Sequence, residues 1–273
     1  MRGTMLVEPG TSGFECLAAQ PRGALLIVHG LAEYAGRYRD LATTLAERGI
    51  STFAYDQRGH GARPGTRTHV DRFDDFVDDL NLEAASLVRR SPELPLFVWG
   101  HSMGSIVAIG AVLTARHRWR GAITTSNSLE VFRRGPNPLN PLFRLGSRLL
   151  PNIRVPLGLD ARKISTDESV QQAYANDPLI PPTASLRLIV EFAAACDRCR
   201  QSASQLTLPW LVVHGEADAI APAQGSRVLF EALRSQDKQL VIYPELRHEV
   251  HNERPAERAK FIDLLSGWIL ERA

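Results

Sequence analysis

Cysteine is scarce: three residues in 273, at Cys16, Cys196 and Cys199. An odd, irregularly spaced set builds no disulfide framework and fits a reducing compartment. Cys196 and Cys199 form a C-x-x-C pair on a helical stretch. No second ligand pair and no thioredoxin-like βαβ unit accompany it, so it reads as helix packing. An excess of one charge is also lacking, with 32 basic against 30 acidic residues and a formal net charge of +2. Without a basic field, nucleic acid is not an expected partner. The single basic run, Arg116 to Arg120, reads as a solvated helix end. No stretch reaches the ~18 apolar residues of a membrane span. The N-terminal M-R-G-T-M-L-V-E-P-G has no apolar signal-peptide core. Neither G-x-x-x-x-G-K-[ST] nor G-x-G-x-x-G occurs, and no H-x-x-x-H or H-E-x-x-H pair exists. His248 and His251 are three apart but are joined by no obvious carboxylate cluster. The expectation is a cytoplasmic protein with no cofactor and no metal, peripheral membrane contact being left open. No pattern assigns an oligomeric state.

What is present is alternation. Residues 4–8 and 13–19 read as a hairpin around P-G-T-S-G. The apolar run A-L-L-I-V-H-G (24–30) reads as a buried strand, and a helix follows from about Arg37 with Gly49 as its C-cap signal. S-T-F-A-Y-D (51–56) is a strand and residues 57–66 are a glycine-rich loop. From Asp71, the residues Phe73, Phe76, Val77, Leu80, Ala84, Leu87 and Val88 form one helical stripe. Strand L-F-V-W-G, a helix over S-I-V-A-I-G-A-V-L-T-A-R and strand 121–127 come next. The rhythm resumes with strand 210–215, a helix around 222–235, strand 239–244 and a closing helix around 255–271. Strand–helix alternation of this kind demands a mostly parallel sheet with helices on both faces.

Between the halves the rhythm breaks. Eight of the 17 prolines lie between Pro136 and Pro182. The expected organisation is a core of residues 1–127 and 208–273 with an inserted cap, 128–207, over the C-terminal edge of the sheet, where α/β active sites lie. Within it, Leu139, Leu142, Phe143, Leu149 and Leu150 recur at helical spacing, with Arg144 and Arg148 off that face. That stripe suits either a lipid-facing lid helix or the cap's own small core.

The chemistry centres on G-H-S-M-G (100–104), set between a strand and a helix. Serine is a weak nucleophile at its free pKa and needs a base, a group orienting that base, and oxyanion donors. Glycines two residues either side of Ser102 permit the sharp, strained turn of a nucleophile elbow. In such a fold the acid and then the histidine follow the serine in the chain. His117, His214, His248 and His251 follow Ser102. His214 lies within a strand and His117 at a basic helix end. His248 follows the last strand by a few residues and is preferred as base, with His251 as the competitor. Glu216 sits too close to its strand to reach far; Asp218, flanked by Ala217 and Ala219, is the expected acid. Asp56 has the wrong chain order and reads as a loop anchor. The N–H groups of Met103 and Leu31 are the expected oxyanion donors.

Several stretches together resemble the monoacylglycerol lipase family of α/β-hydrolases, within the lysophospholipase-like group. They are H-G-L-A-E-Y-A-G-R-Y (29–38), F-A-Y-D-Q-R-G-H-G (53–61), G-H-S-M-G, Q-A-Y-A-N-D-P-L (172–179), H-G-E-A-D (214–218) and Y-P-E-L-R-H-E-V-H-N-E (243–253), in the family's order across nearly the whole chain. The resemblance implies an α/β-hydrolase fold and the hydrolysis of a monoacylglycerol or similar single-chain lipid ester through an acyl-enzyme. It implies Ser102, Asp218 and His248 as the triad, with Leu31 and Met103 as oxyanion donors. It also implies that Glu33, Arg37, Tyr174 and His251 surround the glycerol end; transient contact of the cap with membrane or lipid aggregates is left open. Ser105 stands where the family usually has glycine, and Tyr34 where it often has histidine. The alternatives are a lysophospholipase or broad carboxylesterase and, from another class, a catalytically idle ligand-binding protein.

Overall fold

A computed structural model describes residues 12–114, 119–133 and 137–273. The 4–8 strand of the expected hairpin and residues 115–118 of the basic helix end lie outside the described residues.

The first half runs β1 (Gly13–Cys16), β2 (Gly23–Val28), α1 (Arg39–Glu47), β3 (Ile50–Tyr55), α2 (Asp74–Arg90), β4 (Leu96–His101), α3 (Met103–Leu113) and β5 (Trp119–Thr125). The last part runs β8 (Trp210–Gly215), α7 (Gln224–Ala232), β9 (Lys238–Tyr243) and α8 (Pro255–Leu270). Between them lie α4 (Pro141–Leu149), β6 (Arg154–Pro156), α5 (Glu168–Ala175), β7 (Thr183–Ser185) and α6 (Leu186–Ser202). Among the described residues, seven strands make one sheet in the order β1-β3-β2-β4-β5-β8-β9. Among these strands only β1 is antiparallel to its neighbour. β6 and β7 pair separately as a small antiparallel ribbon.

The apolar strands alternate between two cores, which explains their unbroken hydrophobicity. Leu26, Val28, Val98 and Val212 face α2, α3, α6 and α7 on one side. Leu25, Ile27, Trp99, Leu211 and Val213 face α1 and α8 on the other. The stripe on α2 is buried at Phe76, Val77, Leu80, Ala84 and Leu87, with Val88 emerging at the edge, 37% exposed. Asp74 and Asp75 in its first turn and Arg89 and Arg90 in its last complement the helix dipole. A 3-10 turn at Ala35–Tyr38 precedes α1, so the regular helix begins two residues later than its periodicity suggested. Gly49 ends that region in the left-handed conformation, φ +86°.

The proline-rich segment divides in two. Its second half is part of the main core: Leu188, Phe192, Ala195, Cys196 and Cys199 of α6 pack with the residues of α3. Its first half stands off, and of α4 only Ser147 is buried.

Candidate active site

β4 carries the elbow to the C-terminal edge of the sheet. Ser102 adopts φ +51° and ψ −121°, a strained conformation for a residue with a side chain. The flanking glycines make it possible. A Cβ on Gly100 would lie 2.2 Å from the Gly104 carbonyl oxygen, and one on Gly104 would lie 2.1 Å from that of Val28. The first turn of α3 therefore lies directly on the ends of β4 and β2. Ser102 N–H donates to Thr125 O of β5 at 3.0 Å, which fixes the turn from the other side.

The chain brings the expected residues together. His248 Nε2 lies 3.0 Å from Ser102 Oγ, and His248 Nδ1 lies 2.7 Å from Asp218 Oδ2. Asp218 is anchored by the N–H groups of Ile220 and Ala221, at 2.8 and 2.9 Å on Oδ1. Burial alone would raise its pKa, but the charge of His248 and the hydrogen bonds from His214 and His248 hold the carboxyl well below its ordinary range. Burial pulls the His248 pKa down, and the adjacent Asp218 carboxylate outweighs it, leaving the imidazole above its ordinary value. Glu216 pairs with Arg227 at the surface instead. Asp56 is a loop anchor: its carboxylate accepts from Ala35 N, Ala62 N and Ser12 Oγ.

His214 was missed as a site residue. It is fully buried, with Nε2 3.1 Å from Asp218 Oδ2 and Nδ1 2.7 Å from Ser226 Oγ. It is a second orienting partner for the acid. The only sequence signal was the H-x-x-x-D spacing leaving a strand.

Leu31 follows the β2 edge, and Met103 opens α3, where its N–H has no partner inside the helix. Among the described residues, neither N–H donates to another backbone group. Gly30, next to Leu31, packs on Ser102: a Cβ there would lie 2.9 Å from Ser102 Cβ. Its N–H donates to Glu33 Oε1.

A cavity of about 480 Å³ opens over Ser102 and His248, within the range of small-ligand sites. Most of its wall is apolar, including Leu31, Val131, Phe132, Phe143, Leu157, Leu186, Ile189 and Phe192. Polar groups cluster at the serine end, with Glu33, Tyr174 and Glu249. Arg37 and His251 do not line it. Arg37 pairs with Glu249 at 2.6 Å and stacks over the Tyr174 ring at 4.8 Å. His251 lies behind, stacked on Tyr38 at 4.9 Å and edge-on to Trp99 at 5.4 Å. Burial, with the positive charge of Arg37 added, holds His251 neutral. Burial, reinforced by the charge of Glu249, raises the Glu33 pKa to about 7. Tyr34 hydroxyl donates to Asp177 at 2.7 Å, tying the 29–38 loop to the segment above the sheet. Among the described residues no cluster of three His, Cys, Asp or Glu side chains is placed to hold a metal.

Residues 19–255 match the Hydrolase_4 family, serine aminopeptidase, S33. The chain belongs to this family. It is 35% identical over 258 residues to a monoacylglycerol lipase of Mycolicibacterium smegmatis, covering 92% of this chain and 89% of that one. It is 32% identical to the monoglyceride lipase of Rattus norvegicus, covering 92% and 84%. The crystal structure of Paleococcus ferrophilus monoacylglycerol lipase superposes with a TM-score of 0.84 at 27% identity, covering 95% of this chain and 99% of that one. The architecture is thus the α/β-hydrolase fold of a serine hydrolase. No helix among the described residues is long and apolar enough to cross a membrane.

Proposed function

We propose that this serine hydrolase cleaves monoacylglycerols to glycerol and fatty acid, with Ser102 as nucleophile, His248 as base and Asp218 as the group orienting it. One observation carries the reading: a hydrogen-bonded serine–histidine–aspartate line faces an apolar cavity of about 480 Å³. The relatives' names point to the same substrate. His248 Nε2 takes the Ser102 proton as Oγ attacks the ester carbonyl. The N–H groups of Leu31 and Met103 hold the oxyanion, and the helix dipole of α3 favours its charge. His248 returns the proton to the leaving glycerol oxygen. It then activates water, which clears the acyl-enzyme.

The apolar wall takes the acyl chain. The polar end takes glycerol through Glu33 and Tyr174, with Arg37 behind them; Glu33 Oε2 and Arg37 Nη1 are buried and unpartnered among the described residues. His251 supports this end by packing on Tyr38. Residues 128–207 are the insertion over a core of 1–127 and 208–273; α6 joins that core, the part before it acts as the cap, and α4 is its lipid-facing surface. Leu142 and Leu149 are 75% and 70% exposed, and Leu145, Leu150 and Ile153 are exposed beside them. Residues 131–159 hold five arginines and no acidic residue, a charge that suits anionic lipid headgroups. The protein works in the cytoplasm, peripheral to such a surface.

A fluorophosphonate probe with a substrate panel tests this. Wild type should be labelled and Ser102→Ala should not; equal labelling would overturn the nucleophile. Monoacylglycerols should exceed lysophospholipids and short esters in kcat/KM; a flat profile would favour a broad carboxylesterase.

A further inference from the structure

The C-terminal tip of β5 runs into an unbroken stretch of polar residues. Thr124, Thr125, Ser126, Asn127 and Ser128 are all buried, none more than 1% exposed. A run of five buried polar residues demands partners, and several of those partners belong to the loops around Ser102 and His248. Thr125 O accepts the Ser102 N–H, and Thr125 Oγ1 meets His101 Nδ1 at 2.9 Å. Ser126 N–H donates to Val213 O on β8, the strand that leads to Asp218. Ser128 N–H lies 3.3 Å from Ser105 Oγ, which donates to the Ser102 carbonyl at 2.6 Å.

Ser126 holds the remaining loop. Its hydroxyl donates to the carbonyl of His248 itself, across 122 residues of chain. The N–H of Glu249, in the same peptide unit, donates to Ile164 O at 2.8 Å. The peptide that carries the base is therefore gripped on one edge by β5 and on the other by the segment over the sheet. Ser126 does so with φ +48°, a left-handed conformation uncommon for a residue with a side chain. Glycine would adopt that backbone more readily but would offer no donor.

We propose that Ser126 is a positioning residue for acyl transfer, its hydroxyl setting the place of the His248 peptide so that the imidazole stays in line between Asp218 and Ser102. The inference rests on His248 being the base. Without the hydroxyl, the Ile164 bond remains, so the loop stays attached but hangs from the cap side alone. A displacement of about 1 Å at a reacting group lowers rate by about a hundredfold.

The experiment compares Ser126→Ala, Ser126→Gly and His248→Ala in the full-length enzyme. It measures kcat, KM, the pH profile of kcat/KM and the thermal midpoint. Ser126→Ala and Ser126→Gly should both lose about 10- to 100-fold in kcat, with KM within about twofold. Their acid limb should move to lower pH as the imidazole loosens from Asp218. A purely conformational role for Ser126 predicts the reverse pattern, with Ser126→Gly equal to or better than the parent and only Ser126→Ala impaired; that result overturns the inference. So does a lowered thermal midpoint with kcat and pH profile unchanged. An active His248→Ala would instead overturn the assignment of the base. His248→Ala inactive beside parental Ser126 variants sinks only this inference.

Discussion

α3 and α4 are both rich in apolar residues, and the molecule treats them in opposite ways. Nine of the eleven residues of α3, counting Met103 to Ala108, Ile109, Ala111 and Val112, are buried between the sheet and the helices α2 and α6. In α4 only Ser147 is buried, and leucines point outward. The difference follows from what lies on each side. α3 has a sheet below and helices above, and it must hold Ser102 in a strained conformation, so its surroundings are close and rigid. α4 rests on α6, where a Cβ on Gly146 would be 3.5 Å from Leu186. Its other side is exposed, with Leu142 and Leu149 at its surface. Precision on one side of the cavity is paired with an apolar exposed surface on the other.

The largest effect that would test the rigid side is at Asp218. Asp218→Asn keeps the shape but offers the imidazole the wrong hydrogen-bond partner, and kcat should fall by about 10⁴. The carboxylate holds the His248 pKa above its ordinary value. In the parent, activity therefore rises as pH rises through that elevated value, because only the neutral imidazole accepts the serine proton. In Asp218→Asn the limb should shift to lower pH. Steady-state kinetics across pH would show this; an unmoved limb would contradict the electrostatic role of Asp218. Gly104→Ala tests rigidity by packing. Its Cβ would lie 2.1 Å from the Val28 oxygen, and backbone must shift to admit it. Unfolding by denaturant should show a loss of about 3 kcal/mol. A loss under about 1 kcal/mol would mean that the elbow yields more than the geometry implies.

The two sides also differed in legibility. The strands and helices around the elbow could be read because two faces of burial impose continuous apolar runs and a 3.6-residue period, and because the elbow's glycines have steric work to do. The order serine, acid, histidine carried Ser102, Asp218 and His248 as candidates through distances of over a hundred residues. Contacts without a local spacing stayed hidden. The Ser126 hydroxyl on the His248 carbonyl, 122 residues away, leaves no periodic trace. The β6–β7 ribbon was invisible for another reason: three-residue strands are too short to show alternation. In the segment 128–207 the leucine stripe was seen, but its direction was open. A helix shows which face is apolar, and only packing shows what that face meets.

The exposed side can be broken without touching the core. Leu142→Asp with Leu149→Asp removes two apolar side chains that are 75% and 70% exposed. Stability should stay within about 0.5 kcal/mol, as for other surface changes. Sedimentation with phosphatidylcholine–phosphatidylglycerol vesicles should show binding reduced by at least about tenfold. Turnover of a short soluble ester should be unaffected. Parental vesicle binding by the pair would show that α4 does not meet the lipid.

The smallest effect concerns charge. Arg144 and Arg148 lie on α4 beside the leucines, both exposed, in a stretch without an acidic residue. Near an anionic surface each arginine contributes about 1 kcal/mol, a factor of about five in binding. Arg144→Gln should weaken binding to phosphatidylglycerol-containing vesicles by that factor at low salt and by less as salt screens the interaction. On pure phosphatidylcholine it should change nothing, because the leucines supply that affinity alone. An equal loss on both vesicles would show that Arg144 acts through helix packing, and would leave the apolar stripe as the whole of the lipid contact.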